Sequence, residues 1–213
     1  MARHADDPGR AMTEGLKFGP LKPDALHVAV DMQRLFGEVT EWHCATLADV
    51  LGRVGAIAGH APARTVFTRF RTPHKLEDAG GQWRHYYRRW KSVLGEALAP
   101  EMFDLMPQLS TVARASRVVD KMTYSAFGSR AFHDLLGELH PSALVLTGVE
   151  TDVCVLATML DAVDHGYRTI LVEDAVTSAS ESGHEAILEV ARERFGEQVE
   201  VIATEALLKT WRP

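Results

Sequence analysis

The stretch ALVLTGVETDVCVLATMLDAV, residues 143–163, contains the features that decide the fold. Its first four residues are apolar and predict a buried strand, and VLATMLDAV is long enough to be a helix. A turn containing Gly148 joins the two elements. Cys154, one of 2 cysteines in the chain, falls near the start of the predicted helix. The stretch therefore predicts a strand, a turn and a helix, with a thiol where the helix begins.

The same alternation of strand and helix runs through most of the chain. Six apolar, β-rich runs predict strands at residues 25–31, 63–70, 116–121, 143–148, 167–174 and 198–204. Helices are predicted at residues 41–60, 129–139, 152–165 and 182–195. Ser182 and Glu185 fit a capping box, and Gly166 fits a helix C-terminal stop. This order favours an α/β fold, with a parallel sheet covered by helices on both faces.

Composition narrows the class of protein. The chain has 213 residues, 46% of them hydrophobic, which is enough for one sizeable core. The formal net charge of -6 and the pI of about 5.9 disfavour general nucleic-acid binding. The two cysteines lie far apart, so neither a disulfide framework nor a zinc-type pair is predicted.

The N-terminal segment shows neither periodicity nor an apolar region typical of a secretory signal. We predict a flexible tail for residues 1–20 and one domain for residues 21–213. No apolar run approaches the ~20 residues needed to cross a bilayer. These features predict a cytoplasmic protein that does not contact membranes.

Three polar side chains are expected at one edge of the sheet. Asp31 and Lys121 end the first and third predicted strands, and the fourth strand runs into the turn before Cys154. The carboxyl ends of parallel strands lie at the same edge, where ligands bind in such sheets. Each residue also has an ordinary interpretation: Asp31 as a turn cap, Lys121 as a surface lysine and Cys154 as a buried hydrophobe. Together they form an acid–base group, a cation and a nucleophile.

The position of Cys154 at a helix N-terminus favours the thiolate over the thiol. Unused backbone N–H groups in that turn could receive an oxyanion after the thiolate attacks a carbonyl. Cys44 lies inside a predicted helix among ordinary neighbours and is interpreted as structural.

Three segments resemble the isochorismatase-like cysteine hydrolases, a family that includes nicotinamidases, N-carbamoylsarcosine amidases and isochorismatases. They are DMQRLF (residues 31–36), KMTYSAF (121–127) and TGVETDVCVLATMLDAVDHGY (147–167), and the resemblance extends from about residue 21 to the end. It implies a three-layer α/β/α fold with a doubly wound, six-stranded parallel sheet, and a dimer or tetramer. It also implies an Asp31–Lys121–Cys154 triad, a cis peptide between Val149 and Glu150, and an oxyanion hole formed by the N–H groups of Glu150 and Cys154.

Departures from the subfamilies refine the expected chemistry. Nicotinamidase-like members carry a metal site of one Asp and closely spaced histidines after the second strand. Here that region has His74 and Asp78 but lacks the Asp-x-His pattern, so no zinc and no cofactor are predicted and nicotinamide is disfavoured. Isochorismatases that cleave a vinyl ether generally lack the cysteine. The expected function is therefore hydrolysis of a C–N amide bond in a small molecule, with no nucleic-acid partner.

Two alternatives remain at this stage. One is hydrolysis of a non-amide bond such as a vinyl ether, which does not need the thiol. The other is a non-catalytic binding module on the same fold, which slow alkylation of Cys154 by iodoacetamide at neutral pH would favour.

The segment QWRHYYRRWK, residues 82–91, interleaves aromatic and basic residues. Trp83, Tyr86, Tyr87 and Trp90 follow helical spacing and predict one aromatic stripe, which packs on the body, on a second subunit or over the site as a lid. Single-stranded nucleic acid is the weaker interpretation. The residues predicted to line the substrate pocket are Gln33, Phe36, Tyr124 and Phe127. His184 receives no role, and Asp152 is interpreted as a structural acid in the first turn of its helix.

Overall fold

Six apolar segments form the strands of a single sheet in the computed structural model, which describes residues 16–213. The strands are Leu26–Val30 (β1), Thr65–Phe70 (β2), Arg117–Lys121 (β3), Ala143–Val149 (β4), Arg168–Thr177 (β5) and Val199–Ile202 (β6). The α-helices are Arg34–Gly37 (α1), Leu47–His60 (α2), Gly81–Arg89 (α3), Ser110–Ala113 (α4), Arg130–Leu139 (α5), Leu156–Asp164 (α6), Glu181–Arg194 (α7) and Thr204–Thr210 (α8). A π-helical turn, Thr151–Val155, precedes α6.

All neighbouring strands are parallel, in the order β3-β2-β1-β4-β5-β6. The chain winds outward from β1 through β2 to β3, then crosses to β4 on the other side of β1 and continues to β6. This reversal of direction creates a switch point between β1 and β4, where doubly wound sheets bind their ligands. The predicted three-layer, doubly wound fold is confirmed.

Burial explains why these strands read as continuous apolar runs. Every residue of β1 and of β4 is buried, because helices cover both faces of the sheet. Helices α2 and α8 contact each other and β5, while α6 and α7 also pack against β5. No helix within residues 16–213 is long and apolar enough to span a bilayer.

Gly148 allows β4 to lie close to β1 at the switch point. Its φ angle is 103°, which side-chain-bearing residues rarely adopt. A Cβ atom at this position would lie 2.1 Å from the carbonyl oxygen of Val30. Glycine is therefore required here by both the backbone conformation and the space available.

Several predicted boundaries are wrong because tertiary contacts replace local signals. Residues 41–46 are not helical, and α2 begins only at Leu47, so Cys44 lies in a loop rather than in a helix. A hydrogen bond to another element fixes this loop, since the hydroxyl of Thr46 lies 2.7 Å from that of Thr177 at the end of β5. Helix α7 is capped by Ser180, whose side chain accepts a hydrogen bond from the N–H of Gly183, and the capping box at Ser182 is wrong in register.

Three further comparisons with the sequence concern one helix end, the unpredicted helices and the N-terminal segment. The stop at Gly166 is confirmed by its φ of 79° directly after α6. Helices α1, α4 and α8 were not predicted. Of the predicted tail, residues 1–15 lie outside the described part of the chain. Residues 16–20 are attached to the domain, since Arg168 donates to the carbonyls of Gly19 and Pro20.

A histidine in the central strand makes stability depend on pH. His27 is fully buried in β1, with Nδ1 3.2 Å from the hydroxyl of Thr65 and Nε2 2.8 Å from the hydroxyl of Thr147. Burial lowers the pKa of His27 to about 3. The unfolded chain, with a histidine pKa of about 6.5, then binds the proton in preference to the folded one.

We expect the free energy of unfolding to fall as the pH decreases from about 6.5 toward 3, by on the order of 4 kcal/mol over the whole interval. Urea denaturation at stepped pH measures this slope. His27→Gln, which does not titrate, should flatten it, whereas the exposed His43→Gln should leave it unchanged. An equal slope in both variants would exclude His27 as the cause.

Candidate active site

Asp31 lies directly after β1, at the switch point, and its carboxylate is fully buried. Its φ angle of 52° belongs to the left-handed region, which aspartate tolerates better than most residues. The Thr68 hydroxyl accepts a hydrogen bond from the N–H of Asp31 (3.1 Å) and donates one to Oδ1 (2.6 Å). This pair of bonds fixes the carboxylate and directs Oδ2 away from Thr68.

Lys121 reaches Asp31 from two strands away. It ends β3, opposite Phe70 at the end of β2, and strands lie about 4.8 Å apart, so its long side chain must cross β2. Nζ lies 4.6 Å from the centroid of the Phe70 ring, 3.0 Å from the carbonyl oxygen of Thr123 and 2.6 Å from Oδ2 of Asp31. Both charged side chains have no exposed surface. Apart from this ion pair, Oδ2 has no hydrogen-bond donor within residues 16–213.

Cys154 completes the group from the π-helical turn after β4. Its buried thiol lies close enough to the Asp31 carboxylate and the Lys121 ammonium for both charges to act on its pKa. The Glu150 carbonyl accepts from the N–H groups of Val153 and Val155, which leaves the N–H of Cys154 out of that pair of bonds. The structure therefore brings together all three residues that the sequence placed at one sheet edge.

The tertiary surroundings of Cys154 act on its thiol pKa in the direction opposite to the helix N-terminus. Burial raises its pKa well above the ordinary thiol value, the Asp31 carboxylate raises it further, and Lys121 acts in the opposite direction. In the unliganded site burial and the Asp31 carboxylate therefore favour the thiol, against the effect of the helix N-terminus. Slow alkylation at neutral pH is then expected of an active enzyme too, and it does not identify a non-catalytic module.

The peptide bond between Val149 and Glu150 is cis, as the resemblance implies. The turn that follows it is fixed by the first turn of α7 and by the loop between β5 and α7. Thr151 shares a hydrogen bond of 2.9 Å with His184 Nδ1, and Asp152 accepts one of 2.6 Å from Ser178. His184, which received no role, therefore contacts the nucleophile turn, and Asp152 has the structural role expected of it.

Helix α3 packs with its aromatic stripe inward, against the Phe70 ring that contacts Lys121. Tyr87 is buried, and Trp83, Tyr86 and Trp90 pack against the core. The basic residues Arg84, Arg88 and Arg89 are exposed. Burial raises the pKa of Tyr86 and of Tyr87 above the ordinary tyrosine value, and Cys154 contributes to both shifts. The stripe thus packs on the body of its own chain.

Two further aromatic rings, those of Phe70 and Trp42, pack against the stripe of α3. Neither was predicted from the sequence. Phe70 lies between Lys121 and Trp83, with a ring-centroid distance of 6.5 Å to Trp83. The ring centroid of Trp42 lies 5.7 Å from that of Phe70 and 6.1 Å from that of Tyr86. Phe70 ends a predicted strand beside Lys121, a signal that could have identified it. Trp42 comes from the loop mistaken for a helix.

The structure places the predicted pocket residues in different surroundings. Tyr124 packs beside the aromatic stripe of α3, since its ring centroid lies 4.9 Å from that of Trp83. Phe36 lies one ring further out, stacked on Trp42 at 6.0 Å. Gln33 is fully buried, and its amide group bonds the backbone of Phe70 and Phe103, which gives it a structural role.

Phe127 lies apart from the other predicted pocket residues. It packs in a separate cluster, stacked on His165 at 4.8 Å.

The region predicted to lack zinc forms part of the connection from β2 to α3. Asp78 accepts a hydrogen bond from the N–H of Lys75, and His74 is exposed. Within residues 16–213, no three His, Cys, Asp or Glu side chains converge as a metal site would require.

The fold and site have a counterpart among known families. The family model for the isochorismatase domain matches residues 25–204. The chain belongs to the isochorismatase family. It is 31% identical over 132 residues to maleamate amidohydrolase of Pseudomonas putida, covering 62% of this chain and 59% of that protein. It is 32% identical over 120 residues to a ureidoacrylate amidohydrolase of Methylobacterium radiotolerans, covering 56% and 42%.

The matches span less than two thirds of these two relatives. Among solved structures, the fold is similar to a cysteine hydrolase from Pseudomonas syringae pv. phaseolicola, with a TM-score of 0.76, 22% identity, and coverage of 90% of this chain and 94% of the other. At that identity the likeness supports the fold alone.

Proposed function

We propose that this isochorismatase-family protein hydrolyses a C–N amide bond of a small molecule through a thioester on Cys154. The observation that carries the proposal is the buried ion pair of Asp31 and Lys121, with the Cys154 thiol close enough for both charges to act on its pKa. The side chains of Asp31 and Lys121 have no exposed surface, whereas 5% of Cys154 is exposed. The amidohydrolase names of two relatives support the choice of bond.

The first half-reaction forms the acyl-enzyme. Because the resting thiol is protonated, a base must accept its proton, and Oδ2 of Asp31 is the available acceptor. The sulfur then attacks the amide carbonyl while the N–H groups of Glu150 and Cys154 donate to the oxyanion. The carbon–nitrogen bond breaks, Asp31 returns the proton to the departing nitrogen, and the amine leaves.

The second half-reaction releases the acid. A water molecule gives a proton to Asp31 and attacks the thioester carbonyl. The carbon–sulfur bond breaks, the carboxylic acid departs, and Asp31 returns the proton to the sulfur. Throughout, the Lys121 ammonium stabilises whichever partner carries the negative charge, carboxylate or thiolate.

This mechanism predicts a covalent acyl-enzyme on Cys154. Small primary amides, ureas and carbamoyl compounds are first screened for ammonia release. The active compound is then mixed with the protein, quenched in acid within milliseconds and examined by intact mass. We expect the protein mass to increase by the acyl group, with the adduct mapped to the peptide that contains Cys154. Turnover of an amide with no adduct at any quench time, including under single-turnover conditions, would contradict the thioester.

A further inference from the structure

The turn that carries Cys154 is π-helical, and this form changes the bonding of its backbone N–H groups. In an α-helix the N–H of Cys154 would donate to the carbonyl of Glu150, four residues earlier. Here that carbonyl accepts instead from the N–H groups of Val153 at 3.1 Å and Val155 at 3.0 Å. The N–H of Cys154 lies between these two donors in the sequence and takes no part in their bonds. The π-helical form thus withholds one proposed oxyanion donor from the carbonyl that an α-helix would give it.

The first residue of this turn is bonded to a neighbouring helix. Thr151 is fully buried, and its hydroxyl lies 2.9 Å from Nδ1 of His184, which is half-buried in the first turn of α7. A buried hydroxyl is unfavourable without a hydrogen-bond partner, so this bond ties the position of Thr151 to that of α7. Because π-helical turns are rare and less regular than α-helical ones, such a tertiary bond can decide between the two forms.

The second residue of the turn is held by the same part of the chain. Oδ1 of Asp152 accepts a hydrogen bond of 2.6 Å from the hydroxyl of Ser178, in the loop between β5 and α7. A Cβ atom on Gly183 would collide with Oδ2 of Asp152, so the first turn of α7 packs directly against this carboxylate. Residues 178–184 therefore fix both side chains with which the π-helical turn begins.

We propose that His184 is a positioning residue, whose bond to Thr151 keeps the nucleophile turn π-helical. In this form the N–H of Cys154 is available to the oxyanion. The inference rests on the proposed function and adds to it a residue outside the triad. Without the bond the turn relaxes toward an α-helix, and the N–H of Cys154 then donates to the carbonyl of Glu150. Attack on a carbonyl loses an oxyanion donor, whereas access to the sulfur is unchanged.

Two reagents that react with the same sulfur separate these effects. p-Nitrophenyl acetate acylates a thiol through a tetrahedral oxyanion: a carbon–sulfur bond forms, the bond to nitrophenolate breaks, and Asp31 takes the thiol proton. Iodoacetamide forms a carbon–sulfur bond by direct displacement of iodide, and Asp31 again takes the proton, but no oxyanion arises. The ratio of the two rate constants at Cys154, measured by intact mass and peptide mapping, therefore reports oxyanion stabilisation. Changes in the thiol pKa or in access to the sulfur affect both reactions and cancel in the ratio.

Two variants remove the bond from opposite sides. His184→Leu and Thr151→Val should each lower the ratio of acylation to alkylation roughly tenfold to hundredfold, since loss of a whole oxyanion donor costs about 10²–10³-fold. The double variant should lower it no further, because both changes remove the same bond. His184→Asn places an amide group near the position of Nδ1 and should restore most of the ratio. For any amide that is hydrolysed, the two single variants should lower kcat with KM nearly unchanged.

The matched control is the same substitution at another half-buried histidine. His60 lies at the end of α2, with Nε2 3.0 Å from the carbonyl oxygen of Trp211. His60→Leu removes one hydrogen bond of the same kind outside the nucleophile turn, and it should leave the ratio unchanged.

Failure of this inference and failure of the proposed function give different results. An unchanged ratio in either His184→Leu or Thr151→Val rejects the positioning role, whether or not an amide is hydrolysed, and one folded variant is enough to decide. A lowered ratio in a protein that hydrolyses no amide keeps the role and rejects amide hydrolysis. If neither reagent modifies Cys154, the crystal structure of His184→Leu decides. A turn that stays π-helical rejects the role, and one in which the N–H of Cys154 donates to the carbonyl of Glu150 supports it.

Discussion

Cys154→Ala should abolish amide turnover, lowering kcat by about 10⁴-fold or more, because removing a nucleophile leaves only the contributions of substrate binding and the oxyanion hole. The acyl adduct should disappear with it. Cys154→Ser should be similarly impaired, since the buried Asp31 would have to deprotonate a hydroxyl far less acidic than a thiol. The measurements are steady-state ammonia release and intact mass after an acid quench.

The other cysteine supplies the matched control. Cys44 is buried in the loop before α2, with its sulfur 3.5 Å from the hydroxyl of Thr46, and it takes no part in the triad. Cys44→Ala should keep both turnover and the adduct on Cys154. If Cys154→Ala hydrolysed its substrate at the wild-type rate, the thioester would be wrong and an acid–base mechanism through Asp31, as for a vinyl ether, would replace it.

The triad was predictable because its placement depends on topology more than on detailed packing. Asp31 and Lys121 end apolar strands, and Cys154 follows a third. In a parallel sheet these ends share one edge whatever the strand order. The resemblance to the cysteine hydrolases added the expectation that these residues act together. The distance of 2.6 Å between Lys121 Nζ and Asp31 Oδ2 agrees with that expectation.

The surroundings of the triad could not be predicted in the same way. Which rings meet Lys121 depends on the path of the connection between β2 and β3, which contains α3, α4 and several short 3₁₀ turns. Its short apolar stretches have no single period, so the sequence does not show that Trp83 faces Phe70. Phe127 follows Lys121 closely in sequence, yet the turn before α5 directs it to His165.

The thiol pKa illustrates a second limit of sequence reasoning. A helix N-terminus favours thiolate, and that part of the argument is local. Burial and the neighbouring carboxylate act in the opposite direction, and neither can be read from residues adjacent to Cys154. The local effect on the pKa was visible in the sequence, and the opposing tertiary effects were not.

Variants of the buried Asp31–Lys121 ion pair allow its effect on the free energy of unfolding to be measured separately from its effect on turnover. Lys121→Met leaves the Asp31 carboxylate without a counter-ion in a site with no exposed surface, and Asp31→Asn leaves the ammonium in the same position. Removing one partner of a buried pair costs about 3–5 kcal/mol, because the remaining charge is desolvated and uncompensated. We expect each single variant to lose roughly that much free energy of unfolding in urea denaturation.

The double variant Asp31→Asn/Lys121→Met should recover most of this stability, since no charge remains to be buried and Thr68 can still donate to the amide oxygen at position 31. Its activity should not recover, because loss of the acid–base group alone costs about 10²–10⁴-fold. The exposed pair Arg130–Asp134 is the control, and Arg130→Met should leave the unfolding midpoint unchanged. A double variant no more stable than the single ones would show that the pair is not energetically coupled, whereas wild-type turnover by the double variant would remove Asp31 and Lys121 from the mechanism.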